Sequence, residues 1–332
     1  MRHYLLTGAT GYIGSMLAEY LSAEAGAEKD SQITAIVRDL DKASEMLPQE
    51  VKLVQADLED AEKMRDINGE FTHILHCASI TKSSEMKEHP VEVTKSIVNA
   101  TQNILELAKR CGIESVVMLS SMEVYGEIDC SDGHRVEENE VSAGVVELMN
   151  VRSCYPLAKR MAENLCYSYW KEYGVPVKVA RLAQTFGRGI LPQDSRVFAQ
   201  FAHAAVEEKD IVLHTAGNSM GNYCSIDDAV SGILLLLENG ENGEAYNIVN
   251  EENTMMIRQV AELVAQRIAD GKIQIRYEIP KENVYGYAAD TGLRLSSKKL
   301  RQLGWTPSKN LEQMFLEAIE TMTSWKILKE RG

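Results

Sequence analysis

Six short apolar runs rich in β-branched residues punctuate the first 182 residues: HYLLT (3–7), ITAIV (33–37), VKLVQ (51–55), THILHC (72–77), SVVMLS (115–120) and VKVARL (177–182). They are continuously apolar rather than alternating, as in strands covered by helices on both faces. Helical periods lie between them, at about 11–25, 91–110 and 153–173. Strands alternating with helices of this length predict βαβ units, and so an α/β fold with a doubly wound parallel sheet. After residue 182 the rhythm changes to helical runs at 196–208, 227–239, 254–269 and 310–325, with one more strand at 244–250. The division that follows is a first domain over 1–182, to which 222–250 returns, and a smaller C-terminal lobe over 183–332.

A chain of 332 residues, 45% hydrophobic and 25% charged, has apolar mass enough for such a core. A net charge of -14 without any Lys/Arg run argues against nucleic acid and against an anionic membrane as partners. Six cysteines with no CxxC pair fit a reducing compartment better than a disulfide or zinc framework. The N-terminus runs straight into a strand and turn, and the longest apolar run, Ile233 to Leu237, is too short to span a bilayer. The expectation is a soluble, cytoplasmic protein.

In YLLTGATGYIGSML the first strand passes into the first helix through Gly8, Gly11 and Gly14. Glycines there let the backbone turn tightly and approach a pyrophosphate seated against the helix N-terminus. The spacing is GxxGxxG rather than GxGxxG, and a glycine turn that binds nothing would have the same composition. Its place between strand and helix favours a dinucleotide, and with it a Rossmann-type sheet. The second strand ends AIVRDL. An acid at that tip would bond the adenosine ribose and suit NAD, whereas Arg38 would pair with the 2′-phosphate of NADP. Arg38 precedes Asp39, which tips the expectation toward NADP.

Tyr155 and Lys159 are four apart on a helix whose apolar stripe runs through Cys154, Leu157, Ala158, Met161 and Leu165. That spacing stacks them on one helix edge. A cation beside a phenol favours the phenolate, so a Tyr paired in this way is expected to lose its proton more easily and to act as acid and base. Alone, the pair would be an ordinary helix face. Ligands of a doubly wound sheet, however, sit beyond the carboxyl ends of its strands, where LSSMEVYG (119–126) places Ser120, Ser121 and Glu123. The two stretches should therefore share one pocket.

TGATGYIG, HCAS (76–79), SSMEVYG, YPLAK and RLAQTFGRG (181–189) together resemble the extended short-chain dehydrogenase/reductase family, in particular its nucleotide-sugar epimerases, dehydratases and UDP-glucuronate decarboxylases. The resemblance spans nearly the whole chain. It implies an NAD(P)-dependent enzyme that transfers hydride transiently at a nucleotide-linked sugar, and a homodimer paired through helices 91–110 and 153–173. It implies catalytic roles for Ser121, Glu123, Tyr155 and Lys159, with Tyr155 and Lys159 also contacting the cofactor. The cofactor would further be held by Gly8, Thr10, Gly11, Tyr12, Ile13 and Gly14, by Arg38, by Asp57 and Leu58 near the adenine, and by Ala78. Ser121, Gln184 and Arg196 would contact the substrate, with Arg294 as a further contributor.

Two positions depart from the family pattern. Met122 stands where dehydratases place a proton-donating Asp, and Gly221 stands where an Arg commonly clamps the diphosphate. The alternatives are an NADPH-dependent 4-keto-sugar-nucleotide reductase and, in another class, a non-catalytic dinucleotide-binding module. No metal site is expected: His73 and His76 alternate faces of one strand. Cys154 reads as a buried thiol. The acidic stretch 136–150 reads either as a solvated loop or as a flap over the site.

Overall fold

The computed structural model describes residues 2–27, 31–280 and 290–331. Strands β1 (Arg2–Thr7), β2 (Ser31–Val37), β3 (Lys52–Gln55), β4 (His73–His76), β5 (Ser115–Ser121) and β6 (Val177–Leu182) match the six apolar runs. Helices α1 (Tyr12–Ala27), α2 (Leu40–Met46), α3 (Ala61–Asp66), α4 (Ser83–Glu88), α5 (Pro90–Cys111) and α6 (Cys154–Tyr173) lie between them. The long pair α5 and α6 end at Gly112 and Gly174, both left-handed, a backbone conformation that glycine adopts without steric penalty.

The remainder comprises β7 (Gln184–Phe186), α7 (Val197–Glu207), β8 (Ile211–Leu213), β9 (Met220–Ser225), α8 (Ile226–Asn239) and β10 (Ala245–Ile248). It continues through β11 (Asn250–Met256), α9 (Ile257–Leu263), β12 (Ile275–Tyr277), α10 (Lys298–Gln302) and α11 (Leu311–Arg331).

Seven strands form one sheet in the order β3-β2-β1-β4-β5-β6-β10, and every pairing is parallel. One apolar cluster, with α1 and α8, covers one face; a second, with α3, α5 and α6, covers the other. Double coverage is why the strand sequences are apolar throughout rather than on alternate residues. The strand order reverses between β1 and β4, which opens a crevice at their carboxyl ends. The exposed edge of β10 is blunted by charged side chains: Glu138 accepts from the Asn247 N–H at 2.7 Å, and Lys299 donates to the Ala245 carbonyl at 2.9 Å.

A third cluster gathers α7, α11 and the small β11-β9-β7 sheet around Phe186, whose ring stacks on Phe198 at 4.3 Å and meets Phe315 edge-on at 4.9 Å. The helix expected over 254–269 starts later. Its first residues belong to β11, where Met255 and Met256 pair with Gly221 and Met220, so sheet pairing overrides the local helical pattern. Val264–Ile268 then widen into a π turn. No helix among the described residues is long and apolar enough to cross a membrane.

Candidate active site

The glycine turn is a cradle that side chains would fill. Gly8 has φ +66, and a Cβ there would lie 2.7 Å from the Ala78 nitrogen; one on Gly14 would lie 2.2 Å from the Gly8 carbonyl oxygen. Gly11 N–H closes the turn onto that carbonyl at 2.9 Å. The first turn of α1 carries no acidic residue, so its free N–H groups face no competing anion. Ser79, at the end of the HCAS stretch, has a buried hydroxyl with no partner. The glycine cradle, the helix N-terminus and this orphaned hydroxyl fit a dinucleotide. Thr10, Ile13 and Ala78 are partly buried around the turn, and Tyr12 fastens it to the substrate side by donating to the Arg188 carbonyl at 2.7 Å.

At the tip of β2, Arg38 is exposed, while Asp39 is engaged as the N-cap of α2, accepting from the Lys42 N–H at 3.0 Å. Asp57 is exposed just beyond β3 and accepts from the Glu59 N–H at 3.0 Å, with Leu58 buried beside it.

Ser121 ends β5 and caps the short turn Met122–Tyr125, its Oγ accepting from the Glu123 N–H at 3.2 Å. The same hydroxyl stands near the Tyr155 phenol and favours its ionised form. Tyr155 and Lys159 are buried on α6, at 6% and 4% exposure. Lys159 Nζ donates to the Leu119 carbonyl at 2.7 Å and lies 5.9 Å from the Tyr155 ring centroid. Glu123, partly buried, faces Arg152 at 3.5 Å, a residue the sequence reading had not singled out. Met122 packs against the core.

The electrostatics correct one expectation. The Tyr155 phenol is held well above its ordinary range, first by burial and then by the Glu123 carboxylate; the Ser121 bond, Arg196 and Arg152 oppose this. Lys159 does not offset the shift: it is turned to a main-chain carbonyl, and burial pushes its own pKa down to about 8. Burial and Glu123 thus favour the protonated phenol. Burial also raises Glu123 above the usual carboxylate range, against the pull of Arg152.

Arg196 lies within electrostatic reach of both Tyr12, beside the glycine turn, and Tyr155 on α6. Its guanidinium is paired with Asp194, at 2.5 Å in the shortest contact, and keeps an exposed side. Gln184 opens β7, partly buried and in register with Tyr223 of β9. At Gly221 the Tyr223 ring occupies the side-chain space, its hydroxyl 2.3 Å from where a Cβ would be. Arg294 uses its backbone, accepting from the Val136 N–H at 2.7 Å.

The stretch 136–150 is a pinned element rather than a free flap. Arg160 of α6 donates to the Val141 and Gly144 carbonyls at 3.3 and 2.9 Å, and Val145 bridges to Glu127. His76 is locked between Thr7 and Thr101 and held neutral, its pKa pushed down to about 3 by burial, and His73 bonds Thr72. The Cys154 thiol, raised by burial, donates to the Met86 carbonyl at 3.6 Å.

A model of the NAD dependent epimerase/dehydratase family matches residues 4–249. Among curated relatives, UDP-glucuronic acid decarboxylase 6 of Arabidopsis thaliana is 29% identical over 93% of this chain and 85% of its own. UDP-glucuronic acid decarboxylase 1 of Danio rerio is 26% identical over 96% and 72%. Among solved structures, the UDP-glucose 4-epimerase of Thermotoga maritima superposes with a TM-score of 0.82 at 22% identity, covering 98% of this chain and 99% of that one. The sheet order, the glycine cradle and the family match lead to one conclusion: the chain belongs to the NAD dependent epimerase/dehydratase family and is an enzyme of that type.

Proposed function

We propose that the protein oxidises a nucleotide-linked sugar transiently at ring carbon 4, using NADP in preference to NAD, and that Tyr155, Ser121, Lys159 and Glu123 carry the proton chemistry. A bound nicotinamide would supply the hydride acceptor and donor. Residues 1–182, with the later return of α8 and β10, would hold the dinucleotide, and the lobe over 183–332 would present Gln184 and Arg196 to the substrate. Exposed Arg38, beside an Asp39 engaged in capping, supports the NADP preference.

The observation that supports this reading is that Ser121 and the Glu123 carboxylate both act on the Tyr155 phenol, Glu123 standing in the turn that Ser121 caps. A simple carbonyl reduction needs one proton donor, and Tyr155 suffices for it. A second proton-bearing group, the Glu123 carboxyl with its raised proton affinity, serves chemistry at a neighbouring carbon, once oxidation at carbon 4 has made its bonds labile. Arg196 and Arg152 both favour the phenolate, supporting Tyr155 when it takes up the sugar hydroxyl proton. Met122 offers no proton, which disfavours dehydration. Decarboxylation of a nucleotide-linked uronic acid fits best: the two curated relatives described above are decarboxylases of this kind, and Arg152 is a cation beside Glu123 for a substrate carboxylate.

Incubation with UDP-glucuronate and NADP+ or NAD+, followed by proton NMR, tests the proposal. The expected result is a pentose nucleotide without net consumption of dinucleotide. Stoichiometric consumption of NADPH on a 4-keto-sugar nucleotide, with UDP-glucuronate untouched, would instead establish the reductase.

A further inference from the structure

Behind the catalytic pair lies a buried ionic network that the chemistry above leaves unused. Glu163 is one helical turn beyond Lys159 on α6. The two side chains dock on consecutive residues of β5: Lys159 donates to the Leu119 carbonyl at 2.7 Å, and Glu163 accepts from the Ser120 hydroxyl at 2.5 Å. Arg181, opposite Ser120 in the sheet register, grips the same carboxylate at 2.7 to 3.2 Å. Arg181 in turn reaches Tyr125 Oη at 3.0 Å and the Glu138 carbonyl at 2.8 Å.

The groups facing Lys159 are few. On α6 they are Tyr155, Glu163 and Cys166; from the end of β4 come His76 and Cys77. His76 is held neutral and Cys77 and Cys166 are held as thiols by burial, so Glu163 is the one anion acting on the ammonium among these groups.

We propose that Glu163 is a positioning residue that acts through Lys159: its carboxylate, fixed by Ser120 and Arg181, keeps the buried ammonium charged so that it can hold the dinucleotide. An Arg181–Glu163 pair that merely fastened α6 to the sheet would need no particular distance from Lys159. Here the carboxylate is gripped by Arg181 one helical turn from Lys159, and it favours the charged form of both. The inference rests on the reading of Lys159 as a dinucleotide contact. Loss of the Glu163 charge should let Lys159 shed its proton at lower pH, because an opposite charge at this range favours the charged form by about one to three pH units.

The test is calorimetric titration with NADP+ and NAD+ across alkaline pH for the wild type, Glu163→Gln, Glu163→Asp and Lys159→Met. Wild-type affinity should fall as Lys159 deprotonates; Glu163→Gln should move that midpoint down by about one unit or more, and Glu163→Asp should restore most of it. Glu163→Gln leaves the Arg181 guanidinium buried without its anion, so the double variant Glu163→Gln/Arg181→Gln provides a neutral pair in which a smaller downward shift is expected, because the repulsion of Lys159 by Arg181 is removed as well. An unchanged midpoint in a folded Glu163→Gln or double variant overturns the inference alone. Wild-type affinity that is flat with pH, together with normal binding by Lys159→Met, overturns the Lys159 reading and the inference with it.

Discussion

The Tyr155 phenol is held above its ordinary range because the protein removes water from around it and places Glu123 near it. Replacing it by Phe keeps the ring and its packing but deletes the transferable proton. Activity should fall by about 10²–10⁴, the usual weight of general acid/base catalysis, with dinucleotide affinity nearly unchanged in titration. Lys159 carries the opposite balance. Its folded-state pKa of about 8 lies below the value of a free lysine, so the folded state binds its proton less readily than the unfolded chain does. The missing stability is therefore regained as pH rises through about 8 toward 10.5, where the unfolded chain still holds the proton. Lys159→Met should be the more stable protein at neutral pH, by about 3 kcal/mol at most, with the advantage shrinking as pH rises. Denaturant melts at neutral and alkaline pH check this; a variant less stable than wild type at both would show that the ammonium is not a burden on the fold. At the β2 tip, Arg38→Ala should weaken NADPH binding by about 1.5–3 kcal/mol and leave NADH unaffected. Tighter NADH than NADPH binding by the wild type would assign the choice to Asp39 or another group.

The strand-to-helix turn was legible from its residues because its constraint is steric. A Cβ at Gly14 would lie 2.2 Å from a main-chain oxygen that cannot move without opening the turn. Gly14→Ala should cost about 1–3 kcal/mol of stability and lower dinucleotide affinity at least tenfold, measured by melting and titration. The six sheet strands were equally legible, since burial on both faces leaves an unbroken apolar run. The short strands β7, β8, β9 and β12 were not read from the sequence: they are three to six residues long, and pairing with a distant partner defines them rather than local pattern. Ser121 at the end of β5, Glu123 in the turn after it and Tyr155 and Lys159 on α6 could be placed in one pocket from the sequence, and the family resemblance supplied their roles. Arg152 and Glu163 were missed, though Glu163 repeats the four-residue step from Lys159 that had drawn attention to Tyr155. The lowered phenol pKa expected from the Tyr–Lys spacing was wrong, because spacing carries no information about desolvation or about where the ammonium turns.

At the scale of the molecule, helices α5 and α6 pack closely on each other, and α6 leaves Met161, Tyr167 and Tyr173 exposed. We expect these helices to pair with their copies in a C2 dimer; a monomer in sedimentation at micromolar concentration would remove that expectation. The glycine cradle, the β5 end and α6 lie toward the crevice where the strand order reverses, and Arg196, at the start of α7, is within electrostatic reach of Tyr12 and Tyr155. The use proposed for it is that a sugar gives up and regains a hydride there. Single-turnover absorbance of the nicotinamide, with a nucleotide sugar carrying deuterium at ring carbon 4, tests this most directly. The account requires reduced nicotinamide to appear and decay, its appearance slowed by the isotope, with the deuterium back on carbon 4 of the product. A protein that binds the dinucleotide yet draws no deuterium from any nucleotide sugar would contradict it.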